Sequence, residues 1–232
     1  MKISKRLFLT MLIFTSAGLL TGALIRYPHA SPVFSRSGCT VVLDAGHGDP
    51  DGGAVGAAGT IEKDINLAIA QKTREVFEGR GINVIMTREG DSGLHDDGDG
   101  TIRKMKVSDM HKRRNIMEKS GADLFISIHM NYFPKQEVSG LRIFYDKSHP
   151  ELEELANSVQ NGISAVTGAK CYAVKTADER LFLMKNPPVP CLLTECGFLS
   201  NPDEEKLLCD EKYQSKIAWA LADAVINYLA EH

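Results

Sequence analysis

Apolar positions recur along this chain in two periods. A spacing near 3.6 residues predicts a helix over Asp64 to Glu78, where Ile65, Ala68, Ile69, Val76 and Phe77 share a face and Gly79-Arg-Gly81 ends the run, and another over about Ser108 to Lys119. The same spacing predicts helices over Glu151 to Val166, with Leu152, Leu155, Ala156, Val159, Ile163 and Val166 on one stripe, and over Tyr213 to Leu229, burying Ile217, Leu221, Ala224, Val225, Tyr228 and Leu229. Short apolar or β-branched runs predict strands at Cys39 to Leu43, Ile82 to Thr87, Leu124 to His129, Gly140 to Tyr145 and Pro190 to Glu195. Leu181 to Lys185 reads as a weak strand or turn. Arg88 to Thr101, rich in Gly and Asp but without calcium-loop spacing, reads as a solvated loop with no metal role. Because strands and helices alternate, the pattern predicts an α/β fold: a mostly parallel, twisted sheet with helices on both faces, its first β-α-β unit crossing right-handed.

In open parallel sheets, ligand sites lie beyond the carboxyl ends of the strands, where residues distant in sequence meet. Val41 to Leu43 runs straight into Asp44-Ala-Gly-His47-Gly-Asp-Pro-Asp-Gly-Gly-Ala54, a glycine-rich turn that presents one histidine with the carboxylates of Asp44, Asp49 and Asp51. The turn lacks both Gly-x-Gly-x-x-Gly and a terminal Gly-Lys-Ser/Thr, and its negative charge repels phosphate, so a cation suits it better than an anion. His129 ends the strand from Leu124, Glu195 ends the strand from Pro190, and Glu62 stands between the first strand and its helix. All four point to one edge.

Taken singly, these residues have plainer readings. A histidine ending a strand is more often a hydrogen-bonded structural residue than a ligand, and a glutamate before a helix is usually there for the helix dipole. Glu195 is harder to dismiss, because a carboxylate ending an apolar strand must be paired, ligated or catalytic. Together, His47, Glu62 and His129 make the ligand set of a catalytic zinc with a fourth position open to water. Glu195 is then free to take a proton from that water and return it to a leaving amine. His29, His95, His111, His149 and His232 sit in polar surroundings and read as surface.

Composition adds limits. The 232 residues carry a formal net charge of −3 and an apolar content of 43%, which suits one domain with a full-sized core. Basic residues are scattered or lie on predicted helix faces, which sets nucleic acid aside as a partner. At the N-terminus, Lys2, Lys5 and Arg6 precede an uncharged run, Leu7 to Ile25, that Arg26 closes. At about 1.5 Å per residue such a run spans a hydrocarbon core, so residues 1–26 read as a signal peptide or membrane anchor, 27–38 as a linker and 39–232 as the catalytic domain. The charge bias keeps the start in the cytoplasm and puts everything after Tyr27 outside it. No Ala-x-Ala cleavage site is obvious and no cysteine in or just after the run could take a lipid, which favours an uncleaved anchor. Five cysteines, Cys39, Cys171, Cys191, Cys196 and Cys209, cannot all pair and form no Cys-x-x-Cys, so they read as small buried hydrophobes. Unpaired thiols on an exported protein hint at a cell that lives without much oxygen.

Five ordered motifs carry a resemblance: Leu-Asp-Ala-Gly-His47-Gly-x-x-Asp51-x-Gly-Ala, Glu62-Lys-Asp, Met-Thr-Arg88, Ser127-Ile-His129-Met-Asn131 and Glu195-Cys-Gly-Phe-Leu-Ser-Asn-Pro202. From about Val41 to the C-terminus the chain resembles the zinc-dependent N-acetylmuramoyl-L-alanine amidases of type 3, which cut peptidoglycan between the muramic acid lactyl group and L-alanine. The resemblance implies Zn2+ held by His47, Glu62 and His129, with Glu195 as the catalytic glutamate. Ala45 stands where the family usually has Pro, and Tyr132 where a small residue is common; neither touches a proposed ligand, but Tyr132 could alter the substrate groove. Within the family the chain is similar to the germination-specific amidases of spore-formers, having a hydrophobic segment joined almost directly to one catalytic domain and a basic segment after the Gly/Asp loop. Only about eight residues separate Tyr132 from Ser139, too few for a regulatory helix that plugs the zinc. That likeness implies removal of peptide stems so that muramic δ-lactam can form in the spore cortex, a site in the spore intermembrane space or cell envelope, and a lipoprotein activator. Two readings compete with an amidase: an inactive peptidoglycan-binding module, and a zinc carboxypeptidase or deacylase of similar ligand set.

Overall fold

The computed structural model describes residues 38–96, 98 and 100–232. The apolar run Leu7 to Ile25, the linker before Gly38 and His29 lie outside the described residues. Among the described residues no helix is long and apolar enough to cross a membrane. In chain order the elements are β1 (Thr40–Ala45), α1 (Glu62–Glu78), β2 (Asn83–Met86), α2 (Ile102–Ser120), β3 (Leu124–Asn131), β4 (Arg142–Tyr145), α3 (Leu152–Thr167), β5 (Lys175–Thr176), a 3-10 turn (Phe182–Met184), β6 (Cys191–Phe198), α4 (Pro202–Leu208) and α5 (Glu211–Glu231). The six strands form one sheet in the order β2-β1-β3-β6-β4-β5. All neighbours run parallel except β4 against β6. The mostly parallel α/β sheet read from the sequence is therefore the fold.

Three local features depart from the reading by periodicity. Helix α2 begins at Ile102 rather than near Ser108, because the Thr101 hydroxyl caps it by accepting from Lys104 N at 3.3 Å. Of the two readings of Leu181 to Lys185, strand or turn, the structure has the turn, a 3-10 helix over Phe182–Met184. The two-residue strand β5 and the short helix α4 carry too few residues for a period to register. Helix α4 is nonetheless well signalled locally: Asn201 accepts from Asp203 N and Glu204 N, both at 3.0 Å, with Pro202 at the first helical position.

The period of two along each strand sorts its side chains between unlike faces. Val41, Leu43 and Ala45 of β1, Ile126 and Ile128 of β3, and Leu192 of β6 face α1, α3 and α5, and with their apolar stripes make the larger core. Val42, Phe125, Cys191 and Leu193 face the other way, into a smaller core completed by Met117 of α2 and by Leu183 and Met184. Asp44, Ser127, His129 and Glu195 share this second face by alternation. A sheet covered on both faces should be apolar on both, so these polar residues mark where the rule is broken. The cysteines follow the expected reading in part: Cys39, Cys191 and Cys196 are buried, Cys171 is half-buried and Cys209 is exposed, with its Sγ 3.3 Å from Thr60 Oγ1. That correction has a simple cause, since Cys209 follows the last turn of a surface helix.

At the carboxyl end of β1, Asp44 is buried with Arg113 of α2, and the two form an ion pair. Ser127 Oγ and Thr87 Oγ1 also donate to Asp44, at 2.6 and 2.8 Å. Burial alone would raise the Asp44 pKa, but Arg113 and the two hydroxyls outweigh it and hold the carboxyl below its ordinary value. The stability that Asp44 contributes is therefore complete above about pH 4 and lost as pH falls through the depressed folded value. Denaturant midpoints measured between pH 7 and pH 2 should fall on that limb. Asp44→Asn should lower the unfolding free energy at pH 7 by about 3 kcal/mol, because it leaves a buried guanidinium short of its partner, and should flatten the acid limb. An unchanged midpoint would show the pair to be neutral.

Candidate metal centre

The chain reverses its direction of build at β1, which lies between β2 and β3, so the crevice beyond the carboxyl ends of β1 and β3 is the switch point where such sheets bind ligands. His47 leaves β1 into this crevice with φ +62°, a left-handed conformation rare for a residue with a side chain. Two guanidinium groups fix the turn through its carbonyls. Arg88 donates to Ala45 O at 2.9 Å and Gly46 O at 3.1 Å, and Arg113 donates to Ala45 O and His47 O. His47 Nδ1 lies 2.9 Å from Asp51 Oδ2, so its Nε2 faces inward, 3.3 Å from Glu62 Oε1.

Glu62 is the first residue of α1 and only 3% exposed. Its Oε2 accepts from Ala54 N at 2.8 Å, and its Oε1 from Met130 N at 3.1 Å and Asn66 Nδ2 at 3.3 Å. His129 Nδ1 approaches the same Oε1 at 2.9 Å from β3. The two imidazoles meet edge to face with centroids 4.9 Å apart. One donor atom from each of His47, Glu62 and His129 lies within 4.8 Å of the others, the one group among the described residues that could hold a metal ion. Burial lowers the His47 pKa, yet hydrogen bonds to Asp51 and Glu62 carry it up to about 9. Burial raises that of Glu62, and the two histidines outweigh it and hold the carboxyl well below its usual range. Two imidazoles converging on an ionised carboxylate are the donors of a catalytic zinc site with an open fourth position.

Glycines make room for the cluster. A Cβ on Gly46 would fall 2.2 Å from the His129 ring, and one on Gly53, at φ +73°, 2.5 Å from Glu62 Oε2. Glu195 stands beside the cluster on β6, in register with His129 of β3 and Arg142 of β4. Burial pushes its carboxyl up to about 7; the charge of Glu62 adds to this, while His129, His47 and Arg142 oppose it. Its Oε2 is buried without a hydrogen-bond partner, a condition that a substrate, water or cation relieves.

The four residues singled out in the sequence thus meet in one place. Asp49 and Asp51 do not join the ligand cluster; Asp51 turns onto His47 and Lys106 instead, the latter at 2.8 Å. Sequence reasoning missed Asp51 as the support of His47, and Arg88 and Arg113 as the clamp on its turn, although Arg88 lies in one of the quoted motifs. It also placed His95 and His149 at the surface: His95 lines a cavity beside the cluster, and the half-buried His149 has its Nδ1 2.8 Å from Asp146 Oδ1. Neither joins the metal-binding group.

Known proteins resemble this chain in sequence and fold. A family model described as N-acetylmuramoyl-L-alanine amidase matches residues 41–227. The germination-specific N-acetylmuramoyl-L-alanine amidase of Bacillus subtilis strain 168 is 38% identical over 195 residues, 84% of this chain and 81% of that protein. The amidase AmiA of Escherichia coli K12 is 30% identical, over 86% of this chain and 80% of its own. Among solved structures, the CwlD amidase of Clostridioides difficile, determined in complex with the GerS lipoprotein, superposes with a TM-score of 0.80 at 41% identity, covering 84% of this chain and all of that one.

Gly46→Ala should leave the fold in place but displace His129, weakening divalent-cation binding by about 10–100-fold, the range seen when a group supporting a metal ligand is altered. Titration calorimetry on the metal-stripped chain reads this directly. Unaltered affinity would mean that His129 is not a ligand.

Proposed function

The chain belongs to the N-acetylmuramoyl-L-alanine amidase family, and we propose that it cuts peptidoglycan at a zinc ion held by His47, Glu62 and His129, with Glu195 as the catalytic glutamate. The reaction is hydrolysis of the amide between the muramic acid lactyl group and L-alanine. The observation that carries the reading is the buried, unpartnered carboxylate oxygen of Glu195 beside a converging His, Glu and His. A module that only binds peptidoglycan has no use for it.

Bound zinc supplies Lewis acidity to the scissile carbonyl and the attacking water. The chain's own residues do the rest. Asp51 fixes the His47 tautomer by accepting from Nδ1, which leaves Nε2 for the metal. Ala54 N and Met130 N hold the Glu62 carboxylate in one rotamer. Glu195 takes a proton from water and returns it to the leaving L-alanine nitrogen, and its environment keeps both protonation states within reach near neutrality.

Place and control are read from the relatives. Likeness to the germination-specific and CwlD amidases supports a role in the spore, where stems are removed so that muramic δ-lactam forms in the cortex. The structure of CwlD in complex with GerS supports a lipoprotein partner for this chain, in the role of an activator. Such a partner, by closing on the loops around His47 and His129, would raise zinc affinity, with couplings of about 1–3 kcal/mol being usual. The run Leu7 to Ile25 would hold the catalytic domain, residues 39–232, outside the cytoplasm at the membrane.

Five measurements test these statements. His129→Ala should abolish stoichiometric zinc in elemental analysis. Glu195→Gln should keep zinc and fold yet lose kcat by several orders of magnitude, because the amide preserves shape but accepts no proton. Mass analysis of digested peptidoglycan should show free stems beginning with L-alanine; release of terminal D-alanine or acetate alone would give the site to a carboxypeptidase or deacylase. Unchanged cortex muramic δ-lactam in a deletion strain would remove the spore role, and equal zinc affinity with and without a co-purified lipoprotein would remove partner control.

A further inference from the structure

Helix α4 carries two adjacent buried carboxylates, Glu204 and Glu205, that the chemistry of the site does not use. Glu205 is 2% exposed, and among the described residues no cation forms an ion pair with it. Its two oxygens accept instead from Ala58 N, at 3.1 and 2.9 Å, and one of them also from Thr60 N at 3.2 Å. Burial raises its pKa, and the loop donors, Ala58 N foremost, outweigh that and hold the carboxyl below its ordinary value. A buried charge answered by backbone N–H groups alone stabilises a fold poorly, since its desolvation offsets what the hydrogen bonds return. What it supplies is a fixed place for the loop.

That loop is a small hairpin. Val55 and Ile61 form an antiparallel bridge, Gly56 N donates to Thr60 O at 2.8 Å, and at the open end Glu62 N donates to Ala54 O at 2.9 Å. The tip, Ala58 to Thr60, rests on Glu205, while the base holds Glu62, whose Oε2 accepts from Ala54 N at 2.8 Å. Gly56 lets the carboxylate in, because a Cβ there would fall 2.2 Å from Glu205 Oε1. Resting on the reading of Glu62 as a metal ligand, we propose that Glu205 is a positioning residue for the metal centre, which sets how tightly the chain holds its ion by fixing the hairpin that aims Glu62. Only Ile61 stands between Thr60 and Glu62, so the tip cannot shift without turning the carboxylate at the base. A ligand that must be ordered on binding gives up affinity that one ordered beforehand keeps.

Glu204 serves as the matched control. It too is a buried carboxylate of α4, but its partners are Gly140 N at 2.9 Å and Phe198 N at 2.8 Å, outside the hairpin. Zinc titrated by calorimetry into the metal-stripped full chain tests the proposal. Glu205→Gln, which keeps the shape and turns an NH2 group toward the loop donors, should weaken zinc binding about tenfold or more, within the range for groups that support a metal ligand. Glu204→Gln should lower the urea midpoint comparably and leave zinc affinity unchanged. Gly56→Ala should weaken binding as Glu205→Gln does, and the double variant no further, because both break one contact. Amide exchange at Ala54 N–H, followed without metal, reads the aim of Glu62 itself and should speed up about tenfold in Glu205→Gln but not in Glu204→Gln. Should the wild-type chain bind no zinc, faster exchange at Ala54 in Glu205→Gln would uphold the positioning of Glu62 and remove the metal reading, and unchanged exchange would remove both. Where the wild type binds zinc, unchanged affinity in Glu205→Gln and Gly56→Ala, or an equal loss in Glu204→Gln, overturns the proposal.

Discussion

A guanidinium sealed inside the protein against a sealed carboxylate, Arg113 on Asp44, is the contact from which the site hangs. Neither charge can stay buried without the other, and their remaining hydrogen-bonding capacity must also be met. Arg113 meets it through Asp109 and the carbonyls of Ala45 and His47; Asp44 meets it through Ser127 and Thr87. Arg88 takes the carbonyls of Ala45 and Gly46. The turn after β1 thus has successive carbonyls tied to two arginines, which holds His47 in a backbone conformation costing about 1 kcal/mol or more. What the pair secures is geometry more than stability: the imidazole points where Glu62 and His129 can meet it.

Glu62 has the converse task. One carboxylate receives two backbone N–H groups, an amide side chain and two imidazoles, so loop, helix and strand are all referenced to it. The loop between Gly52 and Ile61 is held from its far side as well. Glu205 of α4, a buried carboxylate, accepts from Ala58 N and Thr60 N, while its neighbour Glu204 accepts from Gly140 N and Phe198 N. Adjacent residues of one short helix therefore fasten the loop before Glu62 and the end of the strand that bears Glu195.

Much of this was legible in the sequence, and the division has a physical cause. The main strands and the four longer helices announce themselves by period, because each buries a face. His47, Glu62, His129 and Glu195 could be placed at one edge because parallel topology sends the ends of β1, β3 and β6 the same way. The supports were not legible. Arg113 lies 69 residues from Asp44, on a helix whose other basic residues are half-buried or exposed, and no spacing rule joins the two. Helix α4 is too short for a period, although Asn201-Pro202 signals its start. His95 reads as loop polarity until α2 and the 3-10 turn are seen to leave a gap beside it.

The two sides of the sheet are unequal. The larger core lies against α1, α3 and α5, and the chemistry with its cavity lies on the thinner side, under α2 and a single 3-10 turn. Stability and selectivity are therefore written into different residues. Changes at Ile102, Met105 or Phe182 reshape what enters the cavity while the packing that keeps the chain folded goes unread by substrate. A lineage can drift on the thin side toward new wall chemistries with its catalytic cluster held constant from beneath, and a search for altered specificity belongs there.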